Sequence, residues 1–407
     1  MPLLLLAIVA MLIQQTMATV AKTAVPVLFP AIALDLGIAS ELVLGYTWVY
    51  ACVGMLVMAG CGAFIIRYGA IRMSQVGGLV MAAGLALAAA ASEPLWLGIP
   101  ALLLGAVLIS AGSTSATPAS SQILARHAPP RTAPLVFSIK QTGVPAGIAI
   151  AGGLVLPLAV WIGWQWAAVV VAMLCALITI GLEPCRKAFD AERKPDQKLA
   201  FGDLWETLYA VLNEPALRAM AMAAFAFVGL QSIFVNFTVV YLYEELSYTA
   251  VTAGAILSLA TLVAVPARIF WGVVASTLVP PRVLLGILAL FMAAGGATMG
   301  AFTPAWSEWA VTLVCLVVSA SAVSWHGVLL SEVARAAPEG EAGRMTGGVM
   351  AFGSVGQIAY PLLFGAVYFL LGYQAAYLAI GVPVLAVAIA LLRQRRAIVT
   401  ARPVSSD

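Results

Sequence analysis

The stretch GAFIIRYGAIR, Gly62 to Arg72, places two glycines and two arginines between long apolar runs. Each flanking run is long enough to cross a bilayer as a helix, which needs about 20 apolar residues, so the stretch reads as a basic loop between two spans. Its spacing returns later in the chain. Gly62 is followed by Arg72, and Gly272 is followed by Arg282, a shift of 272 − 62 = 210. A second echo pairs Gly163-Trp164-Gln165-Trp166-Ala167 with Gly372-Tyr373-Gln374-Ala375-Ala376, a shift of 372 − 163 = 209. Two pairs at matching places predict a six-plus-six duplication, the architecture of carriers that alternate access to a central site.

Composition agrees with spans throughout. Of 407 residues, 63% are hydrophobic and 9% charged, against about 25% charged in a soluble domain. That excludes a soluble enzyme, a nucleic-acid binder and a disordered scaffold, and the net charge of +3 makes no case for nucleic acid. Cys52, Cys61, Cys175, Cys185 and Cys315 show no CxxC spacing, so they read as packing residues and predict neither a disulfide framework nor a metal site. The expected fold is an all-α integral membrane protein. Twelve spans are expected near 4–33, 42–66, 73–91, 95–123, 135–159, 166–182, 216–242, 250–275, 283–302, 309–330, 345–370 and 374–392. The first run lacks a basic leader and is too long for a cleaved signal, so it reads as the first span. The expected organisation is a six-helix bundle over 1–183, a linker over 184–215, a second bundle over 216–393 and a tail over 394–407.

Charge sets the orientation. With both termini inside, the inner segments hold Arg67, Arg72, Arg126, Arg131, Arg186, Lys187, Arg193, Lys194, Lys198, Arg218, Arg282, Arg335, Arg344, Arg393, Arg395, Arg396 and Arg402. The outer loops hold Asp35, Glu41, Glu93, Glu244, Glu245 and Glu308, and no lysine or arginine. This asymmetry predicts cytoplasmic termini in a cell inner membrane. In the polar segment between spans six and seven, Leu204, Leu208, Val211 and Leu212 recur at helical spacing, which predicts an amphipathic surface helix. It reads as a tether between bundles or, alternatively, as a regulatory partner site.

Gly62, Arg67, Gly69 and Arg72 resemble the loop signature of the major facilitator superfamily, and the resemblance covers nearly the whole chain. The resemblance implies twelve helices in two pseudo-twofold bundles and a gating loop that includes Gly272 and Arg282. The aspartate usual in that signature is replaced by Ile66, and by Ser276 in the second half, so gating must rest on other contacts. The stretches TPASSQILARHAPP, FSIKQTGVPAG and WHGVLLSEVAR are similar to a bacterial branch related to cyanate and small organic-anion carriers.

Three cations remain within spans: Lys22, Lys140 and Arg268. A cation at the bilayer centre costs at least about 2.5–3.5 kcal/mol, and no acidic residue accompanies these three in the spans, so the missing counter-charge reads as the substrate. Gln15, Thr19, Lys22 and Pro26 fall within about 60° of one another on a helix, a polar stripe expected to face the central cavity. Arg268 can hold a carboxylate through two parallel bonds, or serve as a bundle or gate contact. The arrangement resembles monocarboxylate and oxalate carriers with a basic residue in span eight. Lys140, near the inner end of span five, reads equally as a snorkelling group, an inner-gate residue or a ligand.

Further candidates for the cavity are Asn236, Ser113, Thr114 and Gln357, each of which could bind cargo or bridge helices, and the aromatic residues Tyr46, Tyr50 and Phe237 as walls. His326 is the intramembrane group able to titrate near neutral pH, either as a proton relay or as a structural histidine. The glycines from Gly143 to Gly153 lack phosphate-loop spacing and read as helix packing and bending. Nothing in the chain assembles a catalytic constellation, and no cofactor is expected. The leading expectation is a secondary or facilitative carrier of a small anion, a monocarboxylate, working as a monomer with a coupling proton or a counter-anion. The alternatives are an exporter of neutral or hydrophobic compounds and a non-transporting receptor or assembly factor.

Overall fold

The computed structural model describes residues 2–39, 42–92, 94–191, 193–197, 199 and 202–400. Glu41, Glu93, Lys198 and Arg402, counted above among the loop and tail charges, lie outside the described residues.

Every described span is a helix, as a backbone without water to bond must be. The first three are Pro2–Leu36, Leu42–Tyr68 and Ala70–Ala89. Span four runs Leu95–Thr114 and then Ala116–His127, with Ser115 between them. The fifth runs from Ala133–Gln141 through Gly143–Ile150, a π-helical turn at Ala151–Val155, and Leu156–Ile162. Trp164–Gly181, Pro215–Glu244, Ala250–Thr277 and Pro281–Gly300 form spans six to nine. Span ten is broken into Glu308–Ala322 and His326–Ala336. A final continuous helical run, Ala342–Thr400, holds both remaining spans.

The two spans of that run are separated at Gly372, whose φ of 80° no helix carries. Gly163, with φ 85°, separates spans five and six in the same way. These are the two glycines of the repeated Gly-aromatic-Gln motif, so the echo in sequence is one left-handed turn used twice. Span four is interrupted at Ser115 and span ten at Val323–Trp325, where Ser324 lies 324 − 115 = 209 positions later. The duplication therefore extends to helix breaks that no sequence pattern marked.

The chain packs as two compact units. The first contains Met1–Ala128, Ile139–Val211 and Ala337–Ala351, and the second contains Pro129–Ser138, Leu212–Ala336 and Phe352–Asp407. Each unit thus includes a short piece of the opposite sequence half. In the first, Val25, Leu28, Phe29 and Ile32 of span one pack on Leu85, Ala88, Ile109, Val171 and Cys175. Spans three and four approach closely because Gly77 faces Gly112, where an added Cβ would lie 2.2 Å from a backbone oxygen. In the second, Tyr241 is the centre of an aromatic cluster with Phe302, Tyr373 and Tyr377, and its hydroxyl donates to the Met299 carbonyl at 2.7 Å.

The linker forms two helices, Glu183–Phe189 and Asp203–Asn213. On the second, Thr207 and Val211 are buried against the start of span eleven, while Trp205, Tyr209 and Leu212 are exposed. The expected amphipathic helix is present, and the face it buries carries Val211, with Leu204 and Leu208 half-buried at its edges.

Candidate functional site

Span one positions the first-unit candidates. Gly143 and Gly147 of span five let Leu12, Thr16 and Thr19 approach, which fixes the rotation of span one about its axis. With that rotation Gln15, Thr19 and Lys22 keep to one face of the helix, but the first two are buried, whereas Lys22, further along the same face, is exposed. The stripe read from the sequence is therefore split by depth.

Lys22 places its Nζ 5.4 Å from the centroid of the Tyr50 ring, a cation–π contact. Among the described residues no carboxylate pairs with it. The Tyr50 hydroxyl is 2.6 Å from Ser113 Oγ, and Ser110 Oγ donates to the Tyr50 backbone carbonyl at 2.6 Å, so the residue beneath the ammonium is held at its hydroxyl and at its backbone. Tyr46, one turn earlier on span two, is buried, and its hydroxyl has no hydrogen-bond partner among the described residues. Thr114 is turned back to the Ser110 carbonyl.

Lys140 is 1% exposed, so it does not snorkel. Its Nζ donates to Gln15 Oε1 at 2.6 Å, and Thr117 Oγ1 donates to the same oxygen at 3.2 Å. A lysine of span five, a glutamine of span one and a threonine of span four thus meet inside one unit. Thr117 carried no signal in the sequence beyond its place in the TPASSQILAR stretch.

In the second unit, Arg268 is 2% exposed and donates from Nε (3.2 Å) and Nη2 (2.9 Å) to the carbonyl of Val323. That carbonyl stands at the break of span ten, where helical partners are lost. The guanidinium closes the end of the Glu308–Ala322 half, and Ser324 Oγ adds a bond to the Ala264 carbonyl at 3.1 Å. His326 opens the following half-helix with its ring stacked on Trp325, centroids 3.8 Å apart. Asn236 and Gln357 are exposed, and Phe237 packs on Phe364 with ring centroids 5.2 Å apart.

The loop residues fall into two corresponding sets. In the first unit, a Cβ on Gly62 would lie 2.7 Å from Arg344 Cα; in the second, a Cβ on Gly272 would lie 2.7 Å from Ser138 Cβ and 3.1 Å from Leu135 Cα. The partners obey the repeat as well, since 344 − 135 = 209. Each glycine therefore admits the first turn of a helix from the opposite sequence half.

Those first turns have backbone N–H groups to satisfy. Ser276 Oγ accepts the Leu135 N–H at 3.2 Å, doing from the aspartate-equivalent position what a carboxylate would do. Ile66 offers no acceptor, and in its unit Gln122 Oε1 accepts the Gly343 N–H at 2.7 Å while its Nε2 donates to the Gly340 carbonyl at 2.8 Å. Arg344 adds bonds to Thr207 Oγ1 at 2.9 Å and to the carboxylates of Glu206 and Glu341, both at 3.5 Å. Arg67 donates to the Gln197 carbonyl at 2.8 Å, and Arg72 lies 3.9 Å from Glu183. Arg282 is half-buried, and its Nε has no partner among the described residues.

Gly69, at φ 98°, makes room for Asp190 of the linker. Both carboxylate oxygens of Asp190 accept backbone N–H groups at 2.9 Å, from Ile71 and from Arg72, capping span three. Burial pushes this carboxyl up from its ordinary value, while the two backbone bonds and the nearby Arg186 and Arg193 act in the other direction. Glu183 is held down, chiefly by the hydrogen bond from Gln75 and then by Arg186.

The profile of the Major Facilitator Superfamily matches residues 7–347. No curated protein matches the sequence. Among solved structures, the human organic anion transporter MFSD10 (TETRAN) is similar at TM-score 0.75 and 18% identity, over 95% of this chain and 98% of that one. A variant of the E. coli fucose:proton symporter FucP reaches TM-score 0.76 at 17% identity, covering 96% and 99%. A bacterial homologue of the iron transporter ferroportin reaches 0.72 at 15% identity, covering 96% and 97%.

Proposed function

Because the chain belongs to the major facilitator superfamily, and is thus a multi-pass membrane transporter rather than an enzyme, we propose that it carries a small anion, a short monocarboxylate. The observation that carries this reading is Lys22: an exposed ammonium deep in span one, over the Tyr50 face, with no carboxylate partner among the described residues. An anionic substrate would supply the counter-charge. The hydroxyl of that same Tyr50 ring, paired with the Ser113 hydroxyl, gives a carboxylate further hydrogen-bonding atoms. Lys140, bonded to Gln15 in the same unit, and Arg268, at the break of span ten in the second unit, are the further cationic candidates. Within the second unit, Asn236, Phe237 and Gln357 are the candidates for contact with cargo. His326 or the substrate carboxyl takes a coupling proton where transport is proton-linked. The basic loops face the cytoplasm of a cell whose inner membrane holds the chain as a monomer.

Uptake of labelled lactate into proteoliposomes tests this. A hydrogen bond to a charged group is worth about 1.5–3 kcal/mol, so Lys22→Ala should lower kcat/KM roughly 10- to 100-fold, with Lys22→Arg recovering most of it. Wild-type uptake by Lys22→Ala would overturn the reading. Competition by neutral compounds and not by acids would favour the exporter alternative instead.

A further inference from the structure

Span six ends at Gly181, and the short helix Glu183–Phe189 that follows borders, with the chain after it, an open cavity of about 1040 Å³. It is lined by Ile180, Glu183, Arg186, Lys187, Asp190 and Arg193 among others. Its walls are fixed by bonds on several sides. Asp190 caps span three, the Lys194 N–H donates to the Ile66 carbonyl at 2.8 Å, and Arg67 grips the Gln197 carbonyl. Phe189 is buried against His127, ring centroids 5.1 Å apart.

Among the described residues of this frame the acids are committed. Both Asp190 oxygens are bonded to backbone, and Glu183 accepts from Gln75 at 2.8 Å and from Arg186 at 3.3 Å. Lys187 and Arg193 are exposed, and among the described residues neither has a carboxylate within ion-pair distance. Next to these cations the wall becomes apolar. Ile180 lines the cavity, and Leu177 and Met173 continue the same exposed stripe along span six toward the bilayer interior.

We propose that this cavity binds the headgroup of an anionic phospholipid, its phosphodiester against Arg186, Lys187 and Arg193 and its acyl chains along Ile180, Leu177 and Met173. A soluble phosphate would meet the cations but leave the stripe uncovered, whereas a phospholipid satisfies both. The site is separate from Lys22 and does not depend on what the protein carries.

Native mass spectrometry of the full chain, delipidated in detergent and offered equal phosphatidylglycerol and phosphatidylcholine, reads this directly. Wild type should retain phosphatidylglycerol preferentially. Removing two interfacial cations in Lys187→Gln/Arg193→Gln should lower that preference about 30-fold. The charge-conserving Lys187→Arg/Arg193→Lys should keep it, which separates loss of charge from loss of fold. Equal retention of the two lipids by wild type, or an unchanged preference in the glutamine variant, would overturn the proposal. Displacement of the lipid by millimolar glycerol 3-phosphate would overturn it in favour of a soluble phosphate compound.

Discussion

The side-chain carbonyl of Gln122 accepts the backbone N–H of Gly343 at 2.7 Å, joining positions 221 residues apart. It supplies at the start of span eleven the acceptor that Ile66 lacks. Replacing a capping side chain by alanine costs about 0.5–2 kcal/mol. Gln122→Ala should lower thermal stability by that order, and Gln122→Glu should recover only part, since a carboxylate accepts from Gly343 but cannot donate to the Gly340 carbonyl. Ser276→Ala removes the corresponding bond to Leu135, and the two losses should add because they lie in separate units. Thermal unfolding of the single and double variants in detergent checks this; a double variant no worse than either single would contradict independent caps.

The two glycines that admit these helices should not be equally tolerant. A Cβ on Gly62 meets Arg344 Cα at 2.7 Å, and backbone cannot swing aside; on Gly272 the nearest atoms belong to the Ser138 side chain, with Leu135 Cα at 3.1 Å. Overpacking costs about 1–3 kcal/mol, so Gly62→Ala should fall at the upper end and Gly272→Ala at the lower. Uptake rates and melting temperatures measured together decide it. Ser138→Gly should rescue Gly272→Ala, and no glycine substitution at a side chain could rescue Gly62→Ala in the same way.

Asp190 makes stability depend on acid pH in a direction that can be worked out. Burial raises its carboxyl above the ordinary 3.8. A group raised in the folded state contributes stability that is present below its unfolded value and is lost as pH rises through its folded value. Melting temperature should therefore carry a component that declines as pH is raised from 3.8 through that higher value. Asp190→Asn removes this component while keeping one acceptor for the backbone of span three. Glu183 is shifted the opposite way, so the difference between wild type and Asp190→Asn isolates Asp190. Identical pH profiles would assign the dependence elsewhere.

The spans, their number and the repeat were legible in the sequence because each rests on a local property: an apolar run, a glycine needing positive φ, an arginine at a loop. The charge of Lys22 inside a span was legible for the same reason. The roles of Gln122, Asp190 and Thr117 were not, since each bonds to a residue more than 100 positions away and its own neighbourhood is ordinary. Arg268 shows the boundary between the two cases. Its burial in a span could be read directly, but its bonds to the Val323 carbonyl depend on a break in span ten where the residues Val323, Ser324 and Trp325 carry no glycine or proline to announce it.

Tyr50 allows the substrate reading to be divided into parts. Its ring faces Lys22 and its hydroxyl pairs with Ser113. Tyr50→Phe keeps the ring and loses the hydroxyl; Tyr50→Leu loses both. Cation–π contacts contribute about 0.5–2 kcal/mol, so Tyr50→Leu should raise KM for a carboxylate by roughly 2- to 30-fold beyond Tyr50→Phe if the ring orients the ammonium toward cargo. Ser113→Ala should match Tyr50→Phe, because each removes one end of the same hydrogen bond. Concentration-dependent uptake by the four proteins separates the terms. Equal KM values for Tyr50→Leu and Tyr50→Phe would mean that the ring holds Lys22 without shaping the site, and the ammonium would then have to be oriented by the substrate itself.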